Sequence, residues 1–150
     1  LRAASDARGD AAIECAVAEL FEDGELLRHM RRMRRTYASR RDALVDALRY
    51  RLGDALDFRV PLGGTALWAR ADDAIDVPAW VAAAEREGVR FASARAYDFA
   101  QRDERFMRLG FSYHDEAELD EAARRLASAL AKSRTPRTSQ APARRPAQAA

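Results

Sequence analysis

Apolar residues along the chain recur first at helical and then at alternating spacing, and this change of period divides it into segments. From Ala11 to Phe21, the side chains of Ile13, Ala16, Val17, Leu20 and Phe21 share one face of an amphipathic helix, and Gly24 supplies a left-handed stop. From about Leu26 to about Leu52, the residues Leu26, Met30, Met33, Tyr37, Leu44, Leu48 and Leu52 return every three or four positions. They predict one long helix that buries a single stripe and ends at Gly53. The period then shortens. Phe58-Arg59-Val60 reads as a short strand stopped by Pro61, and Gly63-Gly64 as a turn or a close backbone approach. Thr65 to Arg70 reads as a second strand, with Ala66 and Trp68 on one face and Thr65, Leu67 and Ala69 on the other.

Asp76 caps a helix that carries Pro78 in its first turn and runs through Trp80, Val81 and Ala84 to Gly88. Val89 to Ser93 follows as a strand. In the next strand, Arg105 to Ser112, Met107, Leu109 and Phe111 share one face while Phe106, Arg108, Gly110 and Ser112 share the other. Asp115 caps the last helix, carried by Leu119, Ala122, Ala123, Leu126 and Leu130. Large apolar residues are lost from Ser133 onward, so burial there cannot offset ordering entropy and a disordered tail is expected. The order of elements gives an α+β fold, a small antiparallel sheet with helices packed on one side. Its expected divisions are helices over 1–52, a small domain over 53–132 and a tail over 133–150.

Composition narrows the class without naming a function. A chain of 150 residues with 48% hydrophobic and 33% charged residues supports one core. Lys+Arg 26 against Asp+Glu 24 leaves a net charge of +2, from which nucleic-acid binding does not follow. Lys132 is the only lysine, so the cationic chemistry is that of arginine. Cys15 has no partner for an intramolecular disulfide, which fits a reducing, cytoplasmic setting. No signal peptide, lipidation motif or long uncharged apolar run is recognisable, and no membrane partner is expected. The chain begins at Leu1, on a residue that can already lie inside a helix, and so reads as a piece of something longer.

Four constellations carry possible chemistry. Arg28, Arg31, Arg32 and Arg35 lie within two helical turns and suit a phosphate or carboxylate, or else form a solvated face paired with Glu22, Asp23 or Asp42. His29 lacks companions at ligand spacing and reads as a packing or hydrogen-bonding residue, while His114 with Asp115 and Glu116 marks a helix start. Gly63-Gly64 lacks the lysine and hydroxyl of a phosphate loop, and no Gly-x-Ser-x-Gly elbow is present. Arg108 sits mid-strand beside the small residues Gly110 and Ser112, which leave room for a planar anion. Alternatively it is an edge arginine paired with Asp98, Asp103 or Glu104.

The run Gly24, Arg28-His29, Arg31-Arg32-Met33-Arg34, Tyr37, Arg40-Arg41, Leu44, then Pro61, Gly63-Gly64, Gly88-Val89 and Arg108-Leu109-Gly110-Phe111 resembles the C-terminal part of MocR-type (GntR family) regulators. Their aminotransferase-like domain is related to the fold type I, pyridoxal-phosphate-dependent aminotransferases. The resemblance implies the small C-terminal domain of that fold, preceded by a long interdomain helix. It implies pyridoxal 5'-phosphate as cofactor of the parent protein, bound mainly outside this chain, and a homodimer in which a large domain and a second subunit are partners. It implies further an amino-acid or amine ligand, with Arg108 taking the α-carboxylate of an amino-acid substrate or effector. The Schiff-base lysine, the acid that pairs with the cofactor's pyridine nitrogen and the DNA-binding winged helix are not found here, so DNA is a partner only through that missing module. Lys132, at a helix end, is no substitute, and the isolated chain is expected to be catalytically inactive. Thr65 and Ala66 depart from the aliphatic residue and histidine that many relatives carry after the double glycine. Leu26, Met30, Phe91 and Phe111 are expected to face the large domain or the second subunit. Two other readings remain: a piece of a genuine class I/II aminotransferase, or a non-catalytic basic module acting through Arg28 to Arg35.

Overall fold

The computed structural model describes residues 10–97, Phe99 and residues 105–134. The tail expected beyond the last helix, and the carboxylates of Asp98, Asp103 and Glu104, lie outside the described residues. Helix α1, Ala11–Glu22, starts where the Asp10 carboxylate accepts from the Ala12 and Ile13 amides at 3.0 and 3.3 Å. Gly24, at φ +70°, turns the chain into α2, Glu25–Leu52, and Gly53, at φ +47°, ends it.

The stripe along α2 is buried only in its second half, through Leu44, Val45, Ala47, Leu48 and Leu52, with Tyr37 partly covered. Leu26, Met30 and Met33 do not reach the core, and α1 buries no residue at all. The reason is length. At 1.5 Å per residue α2 spans about 42 Å, whereas α4, its main helical neighbour, spans about 28 Å and covers one end. Ile13, Val17, Leu20, Phe21, Leu27 and Met30 are left exposed.

Four strands follow: β1 Leu56–Phe58, β2 Ala66–Ala71, β3 Ala92–Ser93 and β4 Phe106–Gly110. They form one antiparallel sheet in the order β1-β2-β4-β3. β2 and β4 lie within one or two residues of their expected bounds, and β1 and β3 depart further. β1 lies earlier than Phe58–Val60, because Leu56 drops into the core opposite Ala71, whereas Arg59 and Val60 point to solvent ahead of Pro61. β3 does not begin at Val89. The Val89 amide donates to Ala84 O at 2.9 Å and the Gly88 amide to Glu85 O at 3.0 Å, a Schellman close of the preceding helix with Gly88 at φ +77°. Those amides are spent on the helix end, so pairing with β4 starts only at Ala92.

Helix α3, Val77–Arg86, begins with Asp76 accepting from the Ala79 amide at 3.0 Å and with Pro78 in its first turn. Helix α4, Glu116–Arg134, opens on a reciprocal capping box: Asp115 accepts from the Glu118 amide and Glu118 from the Asp115 amide, both at 2.9 Å. One face of the sheet, Leu67, Ala69 and Ala71 of β2 with Met107 and Leu109 of β4, packs under α2, α3 and α4. Phe111 is 1% exposed and belongs to this core, so it offers no face to another domain, whereas Phe91 packs edge-on against Trp80 and stays partly exposed. Trp80 fills the centre, fully buried, and its indole N–H donates to Leu126 O at 3.0 Å. The α+β architecture with helices on one side of an antiparallel sheet is therefore as expected.

Burial separates the two tryptophans. Trp80→Ala should cost about 3–5 kcal/mol of stability in urea unfolding, the range for emptying a core aromatic site. Trp68→Ala, on the open face, should cost about 1 kcal/mol, the worth of its ring contacts. Equal losses would contradict the one-sided core.

Candidate functional site

Alternation along β2 and β4 sends their remaining side chains to the uncovered face of the sheet. Register places Ala66 opposite Gly110, Trp68 opposite Arg108 and Arg70 opposite Phe106, while Ala92 of β3 flanks Arg108 on its other side. Arg108 is exposed there, and its Nη2 donates to Thr65 Oγ1 at 3.5 Å. Among the described residues no carboxylate pairs with it. Among the described residues its guanidinium fork meets this one acceptor, and a fork of that shape suits a planar anion.

Two kinds of neighbour shape the surroundings. Trp68 stacks on Phe106, with ring centroids 6.0 Å apart and planes 14° from parallel, and meets Tyr97 edge-on at 5.6 Å. These three rings form an aromatic wall beside Arg108. On the opposite side Ala66, Gly110 and Ala92 leave the sheet surface low. The wall did not emerge from the sequence. Alternation puts Trp68 and Phe106 on the open face of their own strands, and only the pairing register sets them next to Arg108.

Two arginines at the start of α2 engage neighbours close in the chain. Arg28 pairs with Glu25 at 2.5 Å and reaches Asp23 O at 3.3 Å, and its hydrogen bond lowers the Glu25 pKa below the usual carboxylate range. Arg32 donates to His29 Nδ1 at 3.1 Å, so His29 is a surface hydrogen-bonding residue. Arg31, Arg34 and Arg35 show no hydrogen bond or ion pair among the described residues. His114 Nδ1 donates to Glu118 Oε2 at 3.3 Å at the start of α4. Among the described residues no cluster of histidine, cysteine and carboxylates is arranged to hold a metal, and Cys15 is exposed and free. Among the described residues no helix is long and apolar enough to cross a membrane.

Among the described residues, clefts lie on the helix side of the sheet. One, of about 280 Å³, runs between α4 and the Gly88–Phe91 segment with a rim of both charge signs, including Arg90, Glu118, Glu121 and Arg125. Another, of about 210 Å³, lies between Arg34, Tyr37 and Arg41 of α2 and the Gly63-Gly64 turn. Arg108 lines neither, being on the other face. Lys132 is exposed and held by Glu87, whose pKa its hydrogen bond lowers. A Schiff-base lysine must be desolvated against a cofactor ring, so the residues present do not build a pyridoxal-phosphate site.

No family model matches the chain. It is 34% identical over 110 residues to aromatic-amino-acid aminotransferase 1 of Thermococcus litoralis, covering 73% of this chain and 26% of that protein. It is 30% identical over 118 residues to the probable rhizopine catabolism regulatory protein MocR of Rhizobium meliloti, covering 79% of this chain and 24% of that protein. The chain thus spans about a quarter of the length of the curated relatives it matches. Among solved structures, it superposes on kynurenine aminotransferase of Pyrococcus horikoshii with a TM-score of 0.69 and 29% identity, over 75% of this chain and 28% of that one. The multiple substrate aminotransferase of Thermococcus profundus gives 0.70 and 27%, over 77% of this chain and 28% of that one. The chain is therefore an aminotransferase-like segment of fold type I, with the architecture of the C-terminal domain.

On α4, Glu121 accepts from Arg124 at 2.6 and 2.7 Å and from Arg125 at 2.7 Å, and these two guanidinium groups lower its pKa from the usual 4.5 to about 2. A carboxyl depressed on folding contributes stability that is present above pH 4.5 and lost as pH falls through about 2. Carboxyl-carbon NMR should therefore show Glu121 titrating with a midpoint near 2. Replacing Arg124 and Arg125 together by glutamine should return the midpoint to the ordinary glutamate range, about 4.3.

Proposed function

We propose that this chain is the carboxylate-gripping C-terminal part of a pyridoxal-phosphate-binding, aminotransferase-like regulator. In this reading the Schiff-base lysine, the cofactor cradle and the DNA-binding domain belong to polypeptide outside it, and the whole works as a homodimer. The observation that carries the proposal is Arg108: a guanidinium in an Arg-Leu-Gly-Phe context, exposed on the open sheet face and held by Thr65 rather than by a carboxylate among the described residues.

The chemistry asked of the chain is binding and orientation. Arg108 offers two parallel N–H groups to a carboxylate, which fixes the plane as well as the position of the acid. The Thr65 hydroxyl biases the guanidinium toward the Gly63-Gly64 end of the sheet. Trp68 and Tyr97 present an apolar wall to the body of the ligand, and Ala66 and Gly110 keep the approach low. An amino acid with an apolar or aromatic side chain suits this surface. Arg28 and Arg32 are occupied within α2, so a basic module acting through that helix would rely on Arg31 and Arg35.

The regulator reading rests on the arginine-histidine helix and on the MocR relative. An enzyme reading is favoured by one observation, the 34% identity to an aromatic-amino-acid aminotransferase. The two part on turnover. A polypeptide joining this chain to its cofactor-binding domain should bind L-phenylalanine without transferring its amino group to a 2-oxo acid if it is a regulator. Sustained transfer would make it an enzyme.

For the chain itself, L-phenylalanine should shift the NMR signals of Trp68 and Arg108 with a Kd on the order of 10 mM, the affinity of one charge-assisted pair plus ring contacts. Phenethylamine, which lacks the carboxylate, should not shift them. Arg108→Gln should weaken L-phenylalanine binding about tenfold or more. Unchanged binding in that variant would end the proposal.

A further inference from the structure

Three consecutive residues of α2 leave the helix in different directions, as 100° of rotation per residue requires, and each reaches a different segment. Ser39 Oγ donates to Glu116 Oε1 at 2.7 Å, at the first turn of α4. Arg40 Nη1 donates to Ser112 O at 2.6 Å, just beyond the end of β4. Arg41 Nη1 donates to Pro61 O at 3.0 Å, in the loop that leads into β2. The two arginines therefore bracket one place. The last rung between β2 and β4 is the Phe111 amide donating to Thr65 O at 3.0 Å. Ser112 follows Phe111 directly, and Pro61 lies across the double-glycine turn from Thr65. Thr65 is also the residue whose hydroxyl takes Arg108.

We propose that Arg40 and Arg41 are positioning residues for Arg108: from the helix side they clamp the open end of the β2–β4 ladder and so fix Thr65 and the guanidinium beside it. Three features support this. Both carbonyl acceptors sit in loops outside the ladder, where strand pairing does not hold them. The Gly63-Gly64 turn, with Gly64 at φ +93°, provides no side chain to brace the β2 start, so an external tie is needed. Arg40 is half-buried, and its Nε is buried with no hydrogen-bond partner, a desolvation cost borne by the residue that reaches Ser112. Arg51 makes an instructive contrast. It pairs with Asp120 through two nitrogens at 2.7–3.3 Å, tying α2 to α4 without touching either strand end.

This inference rests on the reading of Arg108 as an anion grip, and the experiment separates the two. L-phenylalanine is titrated into the 150-residue chain and its Arg108→Gln, Arg40→Gln, Arg40→Lys, Arg41→Gln and Arg51→Gln variants, following Trp68 by NMR. Exchange of the Phe111 amide is compared with that of the Trp80 indole N–H, which reports on the core. Arg40→Gln and Arg41→Gln should each weaken binding about tenfold, one charge-assisted hydrogen bond's worth, and speed Phe111 exchange without speeding that of Trp80. Arg40→Lys, which keeps a donor for the Ser112 carbonyl, should restore affinity to within about threefold of wild type. Arg51→Gln should lower Tm and leave the affinity of the folded protein alone. If Arg40→Gln does not fold, Arg41→Gln and Arg40→Lys decide. Binding lost in Arg108→Gln but intact in both clamp variants overturns the positioning role by itself, as does an equal loss in Arg51→Gln. No binding by wild type, or unchanged binding in Arg108→Gln, overturns the anion grip and this inference with it.

Discussion

Everything specific about this chain follows from the two-residue period of β2 and β4 when only one side of the sheet is covered. Packing Leu67, Ala69, Met107 and Leu109 under the helices obliges Trp68, Phe106 and Arg108 to point the other way. A slip of one residue in β4 would bury a guanidinium against Trp80 and expose Met107, and the cost of an unpaired charge in that core forbids it. The hydrophobic demand that builds the fold therefore also presents the arginine to solvent, with no additional device needed to expose it.

The long helix shows how one residue type is put to several uses. Near its start Arg28 and Arg32 settle on neighbours in their own helix, as exposed arginines with a nearby acceptor do. In the middle Arg40 and Arg41 reach across to loop carbonyls, where a fork of donors on a long stem spans a gap that a short side chain cannot. Toward the end Arg49 lies over the Phe58 ring at 5.9 Å and Arg51 meets Asp120. The same helix changes from uncovered to buried along its length, so the clamp residues stand where exposed lever meets packed core.

Several expectations failed for reasons that lie outside local sequence. Leu26, Met30 and Met33 continue the apolar stripe of Leu44 and Leu48, yet periodicity states which residues share a face and not how far the opposing surface extends. Phe111 carries a strand-face assignment consistent with exposure toward another domain, but the chain turns α2 over it. Val89 belongs to an apolar run that suits a strand, and its amide was claimed by the end of α3, a competition between two hydrogen-bonding partners that composition does not reveal.

What the amino-acid order determined by itself was the set of elements, their caps and the side of each strand that is apolar, because these depend on neighbours within a few residues. Asp76, Asp115 and Gly88 announce their helix ends, and Met107-Arg108-Leu109 announces which way the arginine faces. Tertiary structure alone decided what stands beside that arginine. Trp68 and Thr65 are forty or more residues distant along the chain, Ala92 comes from a third strand, and Arg40 and Arg41 reach the nearby loop carbonyls from a helix on the opposite face. Register and packing bring them together, and both are settled by burying the whole core at once rather than by any segment's own preference.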